Sequence, residues 1–200
     1  MKRAVVATAV SLSCINQHVQ VPNYPHRSMR VEIPSKAPVP RVVAPYVPSD
    51  QAMIKASMDL AKCGVNDTVL DIGCGDGSIC IYAKHVCGMS KAIGWEIDVG
   101  LLSMAREIVG TEQGFDFKWV DCMDPDTLQL LTQLCEEGDM VIYLFLMPDG
   151  IKFLQETLIQ CMKDNSGLRV ITRRFAFQQD LMAPAQVDEA NELYLYTGCT

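Results

Sequence analysis

The chain has 200 residues and a mass of 22.1 kDa, enough for one domain with a full core and too little for two independent ones. Its 49% apolar and 20% charged residues exclude a disordered polymer. Seventeen basic against 24 acidic residues, a net charge of -7, argue against a protein whose main work is gripping a phosphate backbone. Nine cysteines are scattered without a CxxC pair or a Cys/His knuckle, which reads as free thiols in a reducing compartment and offers no zinc-type ligand spacing, so no metal is implied. No run of 18 apolar residues occurs, and no transmembrane span is expected.

Residues 1–31 carry Lys2, Arg3, Arg27 and Arg30 and no acid. A basic, acid-free segment with Ser and Thr has the character of a mitochondrial presequence, and an unaddressed flexible tail in a cytoplasmic protein explains it equally. Residues 32–48 contain Pro34, Pro38, Pro40, Pro45 and Pro48, which disfavour helix and predict an extended arm. From residue 49 to 200 the pattern is that of one domain. Ser49 or Asp50 caps a helix that ends near Cys63-Gly64, and Thr68–Ile72 is a short β-rich run broken by Gly73-Cys-Gly-Asp-Gly77. A helix follows at Ile79–Lys84, a strand at Lys91–Ile97 and a helix at Val99–Val109. A strand at Phe115–Val120, a helix at Thr127–Leu134 and a nearly all-apolar strand at Met140–Leu146 come next. The pattern closes with a helix at Ile151–Met162 and strands at Gly167–Thr172 and Glu192–Tyr196. Such alternation predicts an α/β fold, doubly wound around a mostly parallel sheet.

Ligands of such sheets bind beyond the carboxyl ends of the strands, where strand order reverses. The first strand ends in Asp71-Ile-Gly-Cys-Gly-Asp-Gly77, where glycines permit a sharp turn and leave no side chain between backbone and ligand. The spacing is GxGxG and not the dinucleotide GxGxxG, and Asp71 would repel a pyrophosphate while attracting an amino group. Glu96 ends the second strand, about where a carboxylate accepts both hydroxyls of a ribose. Asp121 closes the third strand and is placed to accept from an exocyclic adenine amine, although a capping or loop aspartate is as good a reading of that residue alone. Three acids at three successive strand ends describe a site for adenosine joined to a cationic amino acid, which is S-adenosylmethionine.

Val69-Leu-Asp-Ile-Gly-Cys-Gly-Asp-Gly-Ser78, Ile93-Gly-Trp-Glu-Ile-Asp98 and Trp119-Val-Asp121 resemble successive motifs of the class I S-adenosylmethionine-dependent methyltransferases. Pro45-Tyr-Val-Pro-Ser49 and Val141-Ile-Tyr-Leu-Phe-Leu-Met-Pro148 are similar to the group of ATP synthase c-subunit and adenine nucleotide translocase lysine methyltransferases. The resemblance implies a Rossmann-like, seven-stranded sheet with its last strand antiparallel, and a protein lysine as methyl acceptor. It implies that Asp71, Gly73 and Gly75 hold the methionine end, Glu96 the ribose and Asp121 the adenine, with Cys74, Ile97 and Cys122 also at the cofactor. Pro45, Tyr46, Val47 and Pro48 would line the cofactor and acceptor side.

A lysine with a reference pKa of about 10.4 must lose its proton before it attacks, and an apolar, aromatic channel would favour that loss. Tyr46, Tyr143 and Phe145 are the candidates for its walls, with ordinary core packing the alternative for Phe145. Asp149, after the fourth strand, is a candidate proton acceptor or ammonium partner, and Pro148-Asp149-Gly150 reads equally as a simple turn. Arg173-Arg174, after the fifth long strand, suit an acidic peptide neighbourhood or a solvated strand end. Leu146-Met-Pro-Asp149 lacks the Asn/Asp-Pro-Pro-aromatic pattern that holds planar amides, and no basic-aromatic stripe recommends nucleic acid as a partner. His85 is expected on a helix surface, and Trp95 either against the adenine or in the core. A small-molecule methyltransferase and a cofactor-binding module without turnover remain the other readings.

Overall fold

Short apolar runs and amphipathic ones resolve, in the computed structural model, into a seven-stranded sheet with helices on both faces; residues 46–198 are described. The leader, Pro45, most of the arm and Cys199 lie outside the described residues, and so do the expectations placed on them. In chain order the elements are α1 (Gln51–Leu60), β1 (Thr68–Ile72), α2 (Ser78–His85), β2 (Lys91–Glu96), α3 (Val99–Val109) and β3 (Phe115–Trp119). They continue with α4 (Pro125–Cys135), β4 (Met140–Leu144), α5 (Pro148–Asp164), β5 (Leu168–Arg173), β6 (Gln186–Asp188) and β7 (Leu193–Thr197).

The strand order is β3-β2-β1-β4-β5-β7-β6. Strands β1 to β5 are parallel, while β7 runs antiparallel to β5 and β6 antiparallel to β7. The seven-stranded, Rossmann-like arrangement that the motifs imply is therefore present. The chain winds outward from β1 through β2 to β3 and then returns to lay β4 on the other side of β1, which puts the reversal of strand order between β1 and β4. No helix among the described residues is long and apolar enough to cross a membrane.

Strand periodicity divides the core. Leu70, Ile72, Ile142 and Leu144 face α4 and α5, whereas Val69, Val141 and Tyr143 share the opposite face with residues of α1, α2 and α3. Asp71, two residues after Val69, points to the second face and stands in register with Tyr143 across the β1–β4 ladder. Helix starts are set by local chemistry: Asp50, Asp98 and Asp124 each accept a backbone N–H of the first turn of α1, α3 and α4. Arg169 of β5 ties three segments together, donating to the Ala61 carbonyl at 3.0 Å and pairing with the buried carboxylate of Asp67.

The structure corrects several boundaries. Helix α5 begins at Pro148, three residues before the apolar periodicity starts, because proline at the first helical position is pre-set in φ and its missing N–H is not needed there. Pro148-Asp149-Gly150 is thus the first turn of a helix and not a free turn. Strand β4 stops at Leu144, and the three-residue β6 was not expected, since its mostly exposed residues carry no apolar alternation.

Candidate functional site

The loop after β1 turns on three left-handed glycines, Gly73, Gly75 and Gly77. At Gly75, with φ of 54°, a Cβ would come within 2.5 Å of the Tyr46 ring, so only glycine lets the arm close onto the loop. The loop is clamped at two points. Gly73 N–H and Cys74 N–H both donate to the Trp95 carbonyl, at 2.8 and 3.0 Å, and Gly75 N–H donates to Glu96 Oε2 at 2.8 Å. Glu96 Oε1 accepts from Ile97 N–H and Asp98 N–H, both at 2.8 Å. A carboxylate offers about four lone-pair positions, and three are taken by backbone. Glu96 therefore fixes the glycine loop, and about one lone-pair position is left for a ligand.

A cavity of about 600 Å³ opens beside this loop. Asp71, Gly73, Cys74, Gly75, Glu96, Ile97, Asp121 and Cys122 all line it, together with Tyr46, Tyr143 and Phe145. Asp71 is 3% exposed, and burial first, then the charges of Glu96 and Asp76, push its pKa well above the usual carboxylate range. Burial thus penalises its charged form, and a cation placed beside it would favour that form. Asp121 uses Oδ1 to accept from Met123 N–H at 2.9 Å, and its backbone carbonyl accepts from Thr127 Oγ1 at 2.7 Å. The capping and ligand readings of this residue are thus compatible, because one carboxylate oxygen holds the turn and the other has no hydrogen bond among the described residues.

The far side of the cavity is aromatic. Tyr143 is 1% exposed and its hydroxyl makes no hydrogen bond among the described residues, although the hydroxyls of Ser49 and Ser57 are close by. Burial and the neighbouring Asp71 push this phenol up to about 12, so it is a neutral hydrogen-bonding group and not a base near neutral pH. The Arg173 guanidinium lies 4.4 Å from the centroid of the Phe145 ring and donates to Ser49 Oγ at 3.2 Å, fastening the start of the domain to the end of β5. Tyr46 is 44% exposed on the arm, and partial burial beside Asp76 raises its pKa.

Asp149 falls outside the cavity wall, and Asp76 went unnoticed. Asp149 is exposed on the first turn of α5 and forms no part of the cavity wall, because the early start of the helix turns it outward. Trp95 is 1% exposed in the core cluster that faces α4 and α5, it also borders the cavity, and its backbone carbonyl holds the loop. Asp76 lines the cavity and accepts from Ser78 N–H at 3.1 Å and Ser78 Oγ at 2.5 Å; an aspartate two residues before a helical serine was the available signal. His85 sits on the surface of α2 against Glu112, 3.0 Å away. Among the described residues no cluster of three or more His, Cys, Asp or Glu is arranged to hold a metal.

Known proteins share these features in part. A protein-lysine N-methyltransferase of Saccharolobus islandicus is 42% identical over 60 residues, covering 30% of this chain and 36% of the relative. The adenine nucleotide translocase lysine N-methyltransferase of Mus musculus is 33% identical over 66 residues, covering 33% of this chain and 28% of the relative. The matched segments thus span about a third of these relatives. No family model matches the chain. Among solved structures, an RNA methyltransferase from Salinibacter ruber in complex with S-adenosyl-L-homocysteine superposes with a TM-score of 0.57 at 25% identity, over 76% of this chain and 93% of that one. In fold and in its matched segments the chain is therefore similar to the seven-stranded S-adenosylmethionine-dependent methyltransferases, with protein-lysine methyltransferases among its curated relatives.

Proposed function

We propose that the protein is an S-adenosylmethionine-dependent methyltransferase whose acceptor is a lysine side chain of another protein. The observation that carries the reading is the pairing of Asp71 with Tyr143 across β1 and β4: a buried carboxylate at the cavity wall stands beside a buried hydroxyl that has no hydrogen-bond partner among the described residues. The residues fit the ligand. A volume of about 600 Å³ lies in the range of small-molecule sites, five carboxylates line it, and the glycine loop leaves backbone at its wall.

When bound, S-adenosylmethionine supplies a methyl group on a positively charged sulfur, a leaving group that needs no further activation. Asp71 would hold the amino group of its methionine end, gaining the cation its burial calls for. Glu96 would use its remaining lone pair on one ribose hydroxyl, and Asp121 would accept from the adenine amine. The chain's other task is to present the nucleophile in line at close range, which converts a bimolecular encounter into a positioned one. Tyr143 and Phe145 enclose the approach from the acceptor side. Their low polarity favours the neutral amine of the lysine, and the Tyr143 oxygen can accept an amine N–H and so aim the lone pair. The proton released before attack leaves through the open mouth to water.

A protein acceptor is supported by the named relatives, and the excess of acid around the cavity disfavours a polyanion. A mitochondrial location belongs to the same proposal and is supported only by the composition of residues 1–31.

The test is calorimetric titration of the full chain with S-adenosylhomocysteine and, separately, with NAD, followed by labelled-methyl transfer to intact proteins, RNA and small amines. Micromolar binding of S-adenosylhomocysteine alone, with label entering lysine, is the expected result. A folded chain that binds neither ligand ends the methyltransferase reading, and label confined to RNA or to small amines replaces the acceptor.

A further inference from the structure

We propose that Arg174 reads a carboxylate on the methyl acceptor, supplied by an acidic residue next to the accepting lysine; the inference rests on the protein-lysine reading above. Five acids line the cavity, Asp71, Asp76, Glu96, Asp98 and Asp121, and all of them lie near the carboxyl ends of β1 and β2, in the loops that follow those strands, or just beyond β3. Among the described residues Arg174 is the one cationic residue in that wall, and it follows β5. The strand order puts β5 two places from β1, roughly 10 Å across the sheet at the usual strand spacing, on the side away from β2 and β3. The cavity is therefore polarised, with negative charge where a cationic cofactor would sit and positive charge where the acceptor would approach.

The two neighbouring arginines have separate employment. Arg173 is half-buried, stacked on Phe145 and bonded to Ser49. Arg174 is exposed, and among the described residues it has no ion pair and no side-chain hydrogen bond; its guanidinium lies 5.8 Å from the Phe175 ring centroid, at the edge of contact. The backbone makes its presence more telling. Arg174 has φ of 70°, and its N–H donates at 2.7 Å to the carbonyl of Glu192, itself at φ of 55°, where β5 hands over to β7. This turn asks for a left-handed residue, which glycine provides without strain, yet a long cationic side chain stands there. Strain retained at a cavity wall points to a use for the side chain, and the planar fork of a guanidinium suits a carboxylate. Around it the rim is apolar, with Tyr46 at 44%, Val47 at 51% and Met147 at 42% exposure, a surface on which a peptide backbone can lie.

The experiment uses the full chain saturated with S-adenosylhomocysteine and two blocked, labelled nonapeptides, each with a single central lysine flanked by glutamates or by glutamines. Fluorescence anisotropy reads binding, and methyl transfer in the presence of S-adenosylmethionine reads turnover. The glutamate peptide should bind about tenfold more tightly, the difference a charge-assisted contact makes, and the advantage should appear in KM and not in kcat. In Arg174→Gly the two peptides should bind alike while the melting temperature stays the same or rises, since the substitution relieves the left-handed strain; Arg174→Lys should recover part of the preference. Equal binding of both peptides to the unaltered chain, or a preference that survives Arg174→Gly, overturns the proposal even where lysine is methylated. An Arg174-dependent preference without methyl transfer keeps the carboxylate site and rejects the lysine reading. Free lysine carries the other source of this chemistry, and Arg174-dependent binding of free lysine with no discrimination between the peptides overturns the peptide assignment.

Discussion

The two halves of the cavity are built by opposite means. Over β1, β2 and β3 the wall is made of backbone and acids that are close in sequence, with Gly75 and Glu96 only 21 residues apart and joined by a direct hydrogen bond. Over β4 and β5 it is made of aromatic rings and arginine, brought together from distant segments: Arg173 reaches Ser49 across 124 residues. The first half is held by hydrogen bonds to rigid main chain, and the second by stacking and one exposed-side contact. The contrast teaches that the cofactor side is preorganised, whereas the acceptor side depends on how the arm before α1 is fastened.

The largest expected effect tests the first half. Asp71→Asn should weaken S-adenosylhomocysteine binding by about a hundredfold, because a buried ionic contact to an amino group is lost. The same change should stabilise the free protein at neutral pH. A carboxylate whose folded pKa is raised contributes stability that is fully present below its unfolded pKa and is lost as pH rises through the folded value. The stability gain of Asp71→Asn over the unaltered chain should therefore grow from pH 4 upward, as measured by urea melts across pH. A gain independent of pH would contradict the burial argument.

Glu96→Gln sharpens the comparison at intermediate size. An amide cannot accept from Gly75, Ile97 and Asp98 at once, and turning its NH₂ toward any of them sets donor against donor. The loss should be about 2 kcal/mol in chemical denaturation, accompanied by weaker cofactor binding. Tyr143→Phe is the smallest change in stability and the cleanest probe of the second half. Removing a buried hydroxyl without a partner should leave the melting temperature unchanged or slightly higher, and cofactor binding intact, while kcat falls about tenfold. Unchanged kcat would return Tyr143 to the core.

Much of the first half was readable in the chain. The glycine run, the acids at strand ends and the alternation of elements all rest on residues within a few positions of one another, and Asp71, Glu96 and Asp121 do line one cavity. Less readable was what each acid does, because Glu96 spends most of its lone pairs on backbone that only the folded loop brings near. Asp149 illustrates the opposite case: Pro-Asp-Gly reads as a turn until Pro148 is seen to start a helix, on whose first turn the carboxylate is exposed. Strand β6 was silent for a plain reason, since an edge strand of mostly exposed residues has no periodic burial to betray it.

Local chemistry in the sequence thus determined the helices, the five parallel strands, the glycine turn and the acidic character of one wall, because caps, periodicity and positive φ act over a few residues. Tertiary structure decided that Asp71 meets Tyr143, that Gly75 is covered by Tyr46, and that Arg174 faces the cavity while Arg173 does not. Those outcomes depend on the register of β1 against β4, whose partners lie far apart along the chain, and on the antiparallel return of β7 against β5, and both are set only when the sheet closes around its two cores.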